Sequence, residues 1–433
     1  MSGLLLALWI ASIGADRIDF LGGHGSFRFT PFILMTPIVG IAELLRRARL
    51  QRPLQISSSV LGYAAVVSAL ITVAFVSVFG AQELPESAAR AALLLSQVLG
   101  TFAIAVLARD RDDFLLLLAR GALACLVVYV LFDVAEALWW IGRWPPTMRF
   151  GPAIVHFDSL QNAGPIPRLA GPVADGNRGG FVLLFYIAAI ARGERRVWLR
   201  RAGITLAVLL LAATISRSAT LGAVAALGMA LWTGRVRVTR RVLAVASLLA
   251  TAAVAAVLVR PTLLDDVAAM EYSPLAERVS PDVGSARAHV AVIERGLENA
   301  TESVRRASIG LGYGNAYVVL QDIFPGNKYG NFHSLYVTMF AECGIVALVL
   351  TLVLLAGPLV FGGPWREVIA GAVAFNLFYQ TTSEPTFWFV LALAWFGMTW
   401  RASGQLVYLQ RDFLGGPVRR MDVVDVERAS TGG

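Results

Sequence analysis

Long apolar runs separated by short charged connections set the pattern of this chain. The runs fall at about 3–14, 30–45, 58–80, 88–108, 114–140, 179–191, 202–215, 218–233, 242–259, 334–356, 367–380 and 386–400. They are continuous rather than alternating, which predicts helices and argues against the short alternating strands of a membrane barrel. A full crossing takes roughly 20 apolar residues, and several of these runs fall short of that. The expected fold class is an all-α polytopic membrane protein with about twelve transmembrane helices and a long extracytoplasmic loop containing short helices. The expected divisions are 1–259 with nine spans, 260–332 as a loop subdomain, 333–400 with three spans, and 401–433 as a tail.

The charged connections order the spans. Arg46, Arg47, Arg49 and Arg52 form one basic connection, and Arg109 and Arg111 mark the next on that side. Arg192, Arg195, Arg196, Arg200 and Arg201 form a third, and Arg235, Arg237, Arg240 and Arg241 a fourth. Arg401, Arg411, Arg419 and Arg420 lie in the tail. With twelve spans these connections all fall on one side, which the excess of positive charge marks as cytoplasmic, together with both termini. Connection 357–366 carries only Arg366 and contributes least. The connections 15–29, 81–87, 141–178, 216–217, 260–332 and 381–385 are then extracytoplasmic. The opening segment lacks the positive n-region of a signal peptide and reads as a short first span.

Segment 202–233 is too long for one untilted crossing, and as a single helix it would place two basic connections on opposite sides. A hairpin of two short helices removes both conflicts. Its tip, carrying Arg217, is then recessed below the outer surface, where irregular backbone is tolerated only in protein or along a water-filled cavity. In the long 260–332 loop, Ser285 to Val304 reads as an amphipathic helix, with Val290, Ile293, Leu297 and Ala300 as its apolar stripe and Ser285 as its N-cap.

Composition agrees with a membrane protein. The chain is 57% hydrophobic and 15% charged, where a soluble domain carries roughly 25% charged residues. Mean hydropathy is +0.67. The formal net charge is +8, almost all of the cations being Arg, and their place in short connections points to membrane topology rather than to nucleic acid. Cys125 and Cys343 give neither a disulfide framework nor metal-ligand spacing.

Arg217 sits in Ala-Ala-Thr-Ile-Ser-Arg-Ser-Ala-Thr-Leu-Gly (212–222), within the most apolar part of the chain. A charge at that depth is expensive and marks a site facing a cavity. A fixed guanidinium suits phosphate oxygens; a structural partner such as Asp133 or Glu136 is the alternative. His333 lies in Gly-Asn-Lys-Tyr-Gly-Asn-Phe-His-Ser-Leu-Tyr, just before a long span. It reads either as an interfacial or capping residue or as a general base for an acceptor hydroxyl. Arg287 begins the amphipathic loop helix, and Gly310-Leu-Gly-Tyr-Gly reads as a tight turn. There is no Walker A motif, His-Glu-x-x-His, Cys/His cluster or Gly-x-Ser-x-Gly elbow. No metal and no cofactor are expected.

These residues resemble a known family. Thr-Ile-Ser-Arg-Ser-Ala (214–219) is similar to the Ser-Arg signature of the O-antigen ligase and O-antigen polymerase superfamily. Gly310-Leu-Gly-Tyr-Gly, then Asn331-Phe-His-Ser-Leu-Tyr and Ala341-Glu-Cys-Gly-Ile-Val, resemble its second block. Arg168-Leu-Ala-Gly and Asn177 resemble a third, weaker block. Ser334 stands where many relatives have Asn after the His.

The resemblance implies a metal-independent, inverting glycosyltransferase of the integral-membrane, glycosyltransferase C-like type. Its donor is a glycan on undecaprenyl pyrophosphate, and its acceptor is lipid A-core or a growing polysaccharide. Arg217 and Arg287 would bind the pyrophosphate, with Asn177 and Arg178 contributing to substrate binding, and His333 would deprotonate or orient the acceptor hydroxyl. The setting would be a bacterial inner membrane with the site facing the periplasm and membrane lipids around it. The first reading is an O-antigen ligase of lipopolysaccharide biosynthesis. An O-antigen or exopolysaccharide polymerase is the alternative within the family, and a polysaccharide or lipid transporter the alternative outside it.

Overall fold

The structure is a computed structural model and describes residues 2–20, 29–52, 54, 56–158, 162–163, 166–234, 284–327 and 330–398. The expected span 242–259, the basic connection at 235–241 and the tail lie outside the described residues.

Fourteen helices and five short strands are described. The helices are α1 (Ser2–Ser12), α2 (Pro31–Arg49), α3 (Ser58–Val78), α4 (Leu84–Ala108), α5 (Phe114–Trp140), α6 (Gly176–Gly193), α7 (Val197–Ala213) and α8 (Arg217–Trp232). They continue as α9 (Gly284–Thr301), α10 (Val304–Ile309), α11 (Ala316–Val319), α12 (Leu335–Phe361), α13 (Arg366–Phe375) and α14 (Pro385–Phe396). Among the described residues α3, α4, α5 and α12 are long and apolar enough to cross a membrane unaided, and α1 and α14 are shorter apolar helices. Leu61, Val127, Leu131, Val134, Val346 and Leu352 are exposed along the long helices. Apolar surface of this extent on spanning helices is what lipid covers. This is a mostly helical, multi-pass membrane protein.

Sequence sets where the helices begin and end. Pro31 and Pro385 open α2 and α14 at a position where the missing N–H has no intrahelical partner. The Asp175 side chain accepts from the Asn177 N–H at the start of α6, and Ser216 Oγ accepts from the Ala219 N–H at the start of α8. The break at 214–216 divides 202–233 into two helices, with Arg217 at the start of the second. α7 starts earlier than its apolar run, so Arg200 and Arg201 lie inside it.

The connections sort into two groups. Arg46 and Arg47 pair with Asp110, Arg111 pairs with Glu43 and Asp113, and Arg192 pairs with Glu367. These contacts join the connections read as cytoplasmic to one another. At the other group, β1 (Ile18–Asp19) pairs antiparallel with β3 (Ala153–His156), which also pairs with β2 (Thr147–Phe150). The order is β1-β3-β2, with Ile18 and Met148 both opposite Val155. A further ribbon joins β4 (Asn162–Ala163) to β5 (Ile166–Pro167). These strands depart from the expected all-α fold. The Pro- and Gly-rich 141–178 connection satisfies its backbone groups by pairing with the 15–29 connection instead of forming a helix.

The loop subdomain also differs in register. The expected helix over 285–304 is two helices, α9 and α10, and Ser285 lies within the first turn of α9 rather than before it. Of the expected apolar stripe, Ala300 is fully buried and Ile293 packs beside it, while Val290 and Leu297 are 53% and 43% exposed and the unexpected Val292 is fully buried. Gly296 explains the rotation: a Cβ there would lie 2.5 Å from Val337 Cγ1 and 2.8 Å from Phe332 Cδ1. α9 therefore packs its glycine face against the start of α12, and Phe332 fills the space.

Candidate functional site

Three residues, Thr214-Ile215-Ser216, separate α7 from α8. Ile215 has φ +49°, a region that costs a β-branched residue about 1–3 kcal/mol and persists only when its surroundings impose it. The imposing contacts are local. Thr214 O accepts from Arg168 Nε at 3.2 Å. Asn177 Oδ1 accepts from Arg168 Nη2 at 3.1 Å, from Ser216 Oγ at 2.7 Å and from Ser218 Oγ at 3.4 Å. One amide oxygen thus gathers the 168 segment, the start of α6 and the hairpin tip.

Arg217 is the first residue of α8 and is exposed, while Arg168 is 4% exposed. Burial pulls the Arg168 guanidinium below its ordinary range; Asp175 and Tyr379 oppose that shift, and the nearby charge of Arg217 adds to it. Two guanidiniums beside a helix N-terminus make a place for an anion. Asp133 and Glu136, considered as partners for Arg217, bind elsewhere. Glu136 pairs with Arg17 at 3.2 Å and accepts from Ala170 N at 3.3 Å, and Asp133 accepts from Gly171 N at 2.9 Å. These bonds hold the segment that presents Arg168.

Arg178 pairs with Asp16 at 2.6 Å and with Glu384. Its charge is met by two carboxylates from two other connections, so it ties the 15–29, 141–178 and 381–385 connections together. Tyr379, 8% exposed, is buried just before the 381–385 connection.

His333 has φ +51°, a second left-handed non-glycine residue at a sequence-predicted position. Its backbone N–H donates to Asn331 Oδ1 at 2.9 Å. Two residues on, the Leu335 N–H donates to Asn376 O and Tyr379 O, each at 3.0 Å. The Tyr379 carbonyl thus holds the turn that carries His333. The His333 ring stacks on that of His289 in α9, with centroids 4.2 Å apart and planes within 9°. Burial lowers the His333 imidazole to about 4, so it is neutral near pH 7 and able to accept a proton.

Arg287 lies in the first turn of α9, two residues before His289; its side chain lies outside the described residues. Asn177 thus contacts the break that precedes Arg217, Arg178 pairs with Asp16 and Glu384, His333 lies on its own turn against His289, and Arg287 shares α9 with His289. Reading the sequence missed His289 and Tyr379, and it registered Arg168 only within a weak motif. His289 and Arg168 lie outside every apolar run and Tyr379 is one apolar-run residue among many, so no local pattern singles them out.

The glycine-rich turn has a defined anchor. Glu342 in α12 accepts from Gly314 N at 2.8 Å and from Ala316 N at 3.0 Å. Gly344 breaks α12 with φ 82° and ψ 179°, and a Cβ there would lie 2.1 Å from Ser308 O. Glu342-Cys-Gly344 thus holds the turn that leads toward His333. Among the described residues no group of three or more His, Cys, Asp or Glu is arranged to hold a metal ion.

This arrangement has a counterpart among known sequences. Residues 202–352 match the O-Antigen ligase family. The family region takes in the α7–α8 hairpin with Arg217, the helix carrying Arg287, the glycine-rich turn, His333 and Glu342-Cys-Gly344. Arg168, Asn177 and Arg178 precede it and join it through the contacts above. No curated protein matches the chain.

Proposed function

We propose that this protein transfers a glycan from undecaprenyl pyrophosphate to an acceptor hydroxyl at the outer face of a bacterial inner membrane. The observation that carries the reading is Arg168 held by Asn177 against the 214–216 break, with Arg217 as the next residue, together with a neutral, half-buried His333. On the expected twelve-span layout with both termini cytoplasmic, this group would face the periplasm.

In the proposed reaction, Arg168, Arg217 and Arg287 grip the pyrophosphate oxygens. His333 takes the proton of the acceptor hydroxyl as that oxygen attacks the anomeric carbon. The bond from that carbon to the pyrophosphate oxygen breaks, and the electron pair leaves with the lipid pyrophosphate, where the guanidiniums stabilise the growing negative charge. A single displacement inverts the anomeric centre, and burial keeps the imidazole in its neutral, basic form.

The first reading is an O-antigen ligase with lipid A-core as acceptor; an O-antigen or exopolysaccharide polymerase uses the same groups on a growing chain. A lipopolysaccharide gel from a deletion strain, with lipid-linked glycans extracted in parallel, separates them. Bare core with accumulated long lipid-linked polymer marks a ligase, and core with a single repeat and no ladder marks an O-antigen polymerase. An unchanged gel favours an exopolysaccharide polymerase or removes the lipopolysaccharide reading. Complementation with His333→Ala or Arg217→Ala is expected to restore no transfer while both variants accumulate in the membrane. Normal transfer by either variant removes that residue from the mechanism.

A further inference from the structure

The His333 ring is positioned without a hydrogen bond to Nδ1, which is buried and has no partner among the described residues. An acid–base histidine is usually oriented by a carboxylate or carbonyl at its second nitrogen. Here the backbone at φ +51° sets where the ring starts, and the face of His289 sets its plane. Rings within 9° of parallel at 4.2 Å present faces to each other, so the in-plane N–H of one cannot donate to the nitrogen of the other. A proton relay between the two is therefore excluded by geometry, and stacking is what remains.

The support behind His289 is rigid. Val292 and Ala300, on the same face of α9, are fully buried against Phe332 and Leu311. Gly296 lets the ring of Phe332, the residue before His333, approach the helix backbone. Two consecutive residues of the 331–336 motif are thus clamped by one helix, Phe332 through Gly296 and His333 through His289.

We propose that His289 is a positioning residue: its imidazole face fixes the plane of the His333 ring and so aims the nitrogen that takes the acceptor proton. The inference rests on the reading of His333 as that base. It makes an aromatic face, rather than an imidazole, the requirement at position 289.

The test compares His289→Ala, His289→Phe and His333→Ala in the full-length protein. The donor is the lipid-linked glycan extracted from the deletion strain, and the acceptor is the glycolipid of the same strain. Initial rates give kcat and donor KM, and a melting curve is recorded for each variant. His289→Ala is expected to lose roughly ten- to a hundredfold in kcat with donor KM and melting unchanged, the size expected of a misaimed catalytic group. His289→Phe is expected to recover most of that loss. Wild-type kcat in His289→Ala, with His333→Ala inactive, overturns this inference and leaves the proposed function standing. A folded His289→Phe as impaired as His289→Ala also overturns it, because the face would then not suffice. If His289→Ala does not fold, the activity of His289→Phe alone decides. An active His333→Ala removes the proposed function itself.

Discussion

Asn177→Asp separates charge from structure at the hairpin tip. The two side chains have the same shape, and an Asp oxygen still accepts the bonds that Asn177 Oδ1 now takes from Arg168, Ser216 and Ser218. The new element is one negative charge, 3.1 Å from Arg168 Nη2. A phosphate oxygen on the far side of that guanidinium would lie about 6 Å from the carboxylate, adding one charge-assisted hydrogen-bond length. At an effective dielectric of about 20, two unit charges at about 6 Å repel by roughly 3 kcal/mol, or about a hundredfold in binding. The variant should insert and melt like the wild type while losing roughly two orders of magnitude in kcat/KM for the lipid-linked donor. Raising the ionic strength should recover little of the loss, because Arg168 is buried and poorly screened. Initial rates on membranes normalised for protein, with the donor titrated, measure it. Near-wild-type kcat/KM would refute the assignment of Arg168 and Arg217 to the pyrophosphate, since no anion would then bind beside Asn177.

The remaining expectations use other parts of the structure. The His333 imidazole, lowered to about 4 by burial, stays unprotonated across pH 6–8, so kcat/KM should show no loss from this group until pH falls toward 4; an acid limb near the ordinary imidazole range of about 6.5 would contradict that. The same shift has a stability consequence with a definite sign. The unfolded chain binds this proton first, so stability is full above about 6.5 and falls as pH drops toward 4, a component that His333→Gln should remove from melting curves taken across that range. Gly344→Ala should abolish activity and lower the melting temperature, because φ 82° is strained for alanine and its Cβ would lie 2.1 Å from Ser308 O; a melting curve matching wild type would show that α12 tolerates a different break. Since guanidiniums carry the charge stabilisation in the proposed reaction, transfer should persist in EDTA, and a loss restored by a divalent ion would refute that part of the mechanism.

Much of this protein was legible along its sequence, for a physical reason. Insertion into lipid depends on apolar length and on the charge of the connections, both local properties, so α3, α4, α5 and α12 follow from composition within one window. The α7–α8 hairpin was equally readable, because one long helix would have placed basic connections on opposite sides. Arg217 stood out as a charge in the most apolar part of the chain and His333 as an imidazole at the mouth of a span; Ile215, two residues before Arg217, and His333 itself are left-handed. What the sequence could not supply is which distant groups meet these two. Arg168 reaches Thr214 across 46 positions and His289 reaches His333 across 44, and neither His nor Arg belongs to an apolar repeat that would announce its partner. The face of α9 was only partly readable for the same reason: Ile293 and Ala300 of the expected stripe pack inward, but the absent side chain of Gly296 admits Phe332 and turns Val290 and Leu297 outward. Local pattern determines what enters the membrane and where the chain turns, while packing between remote segments decides which charges converge and which ring lies against the candidate base.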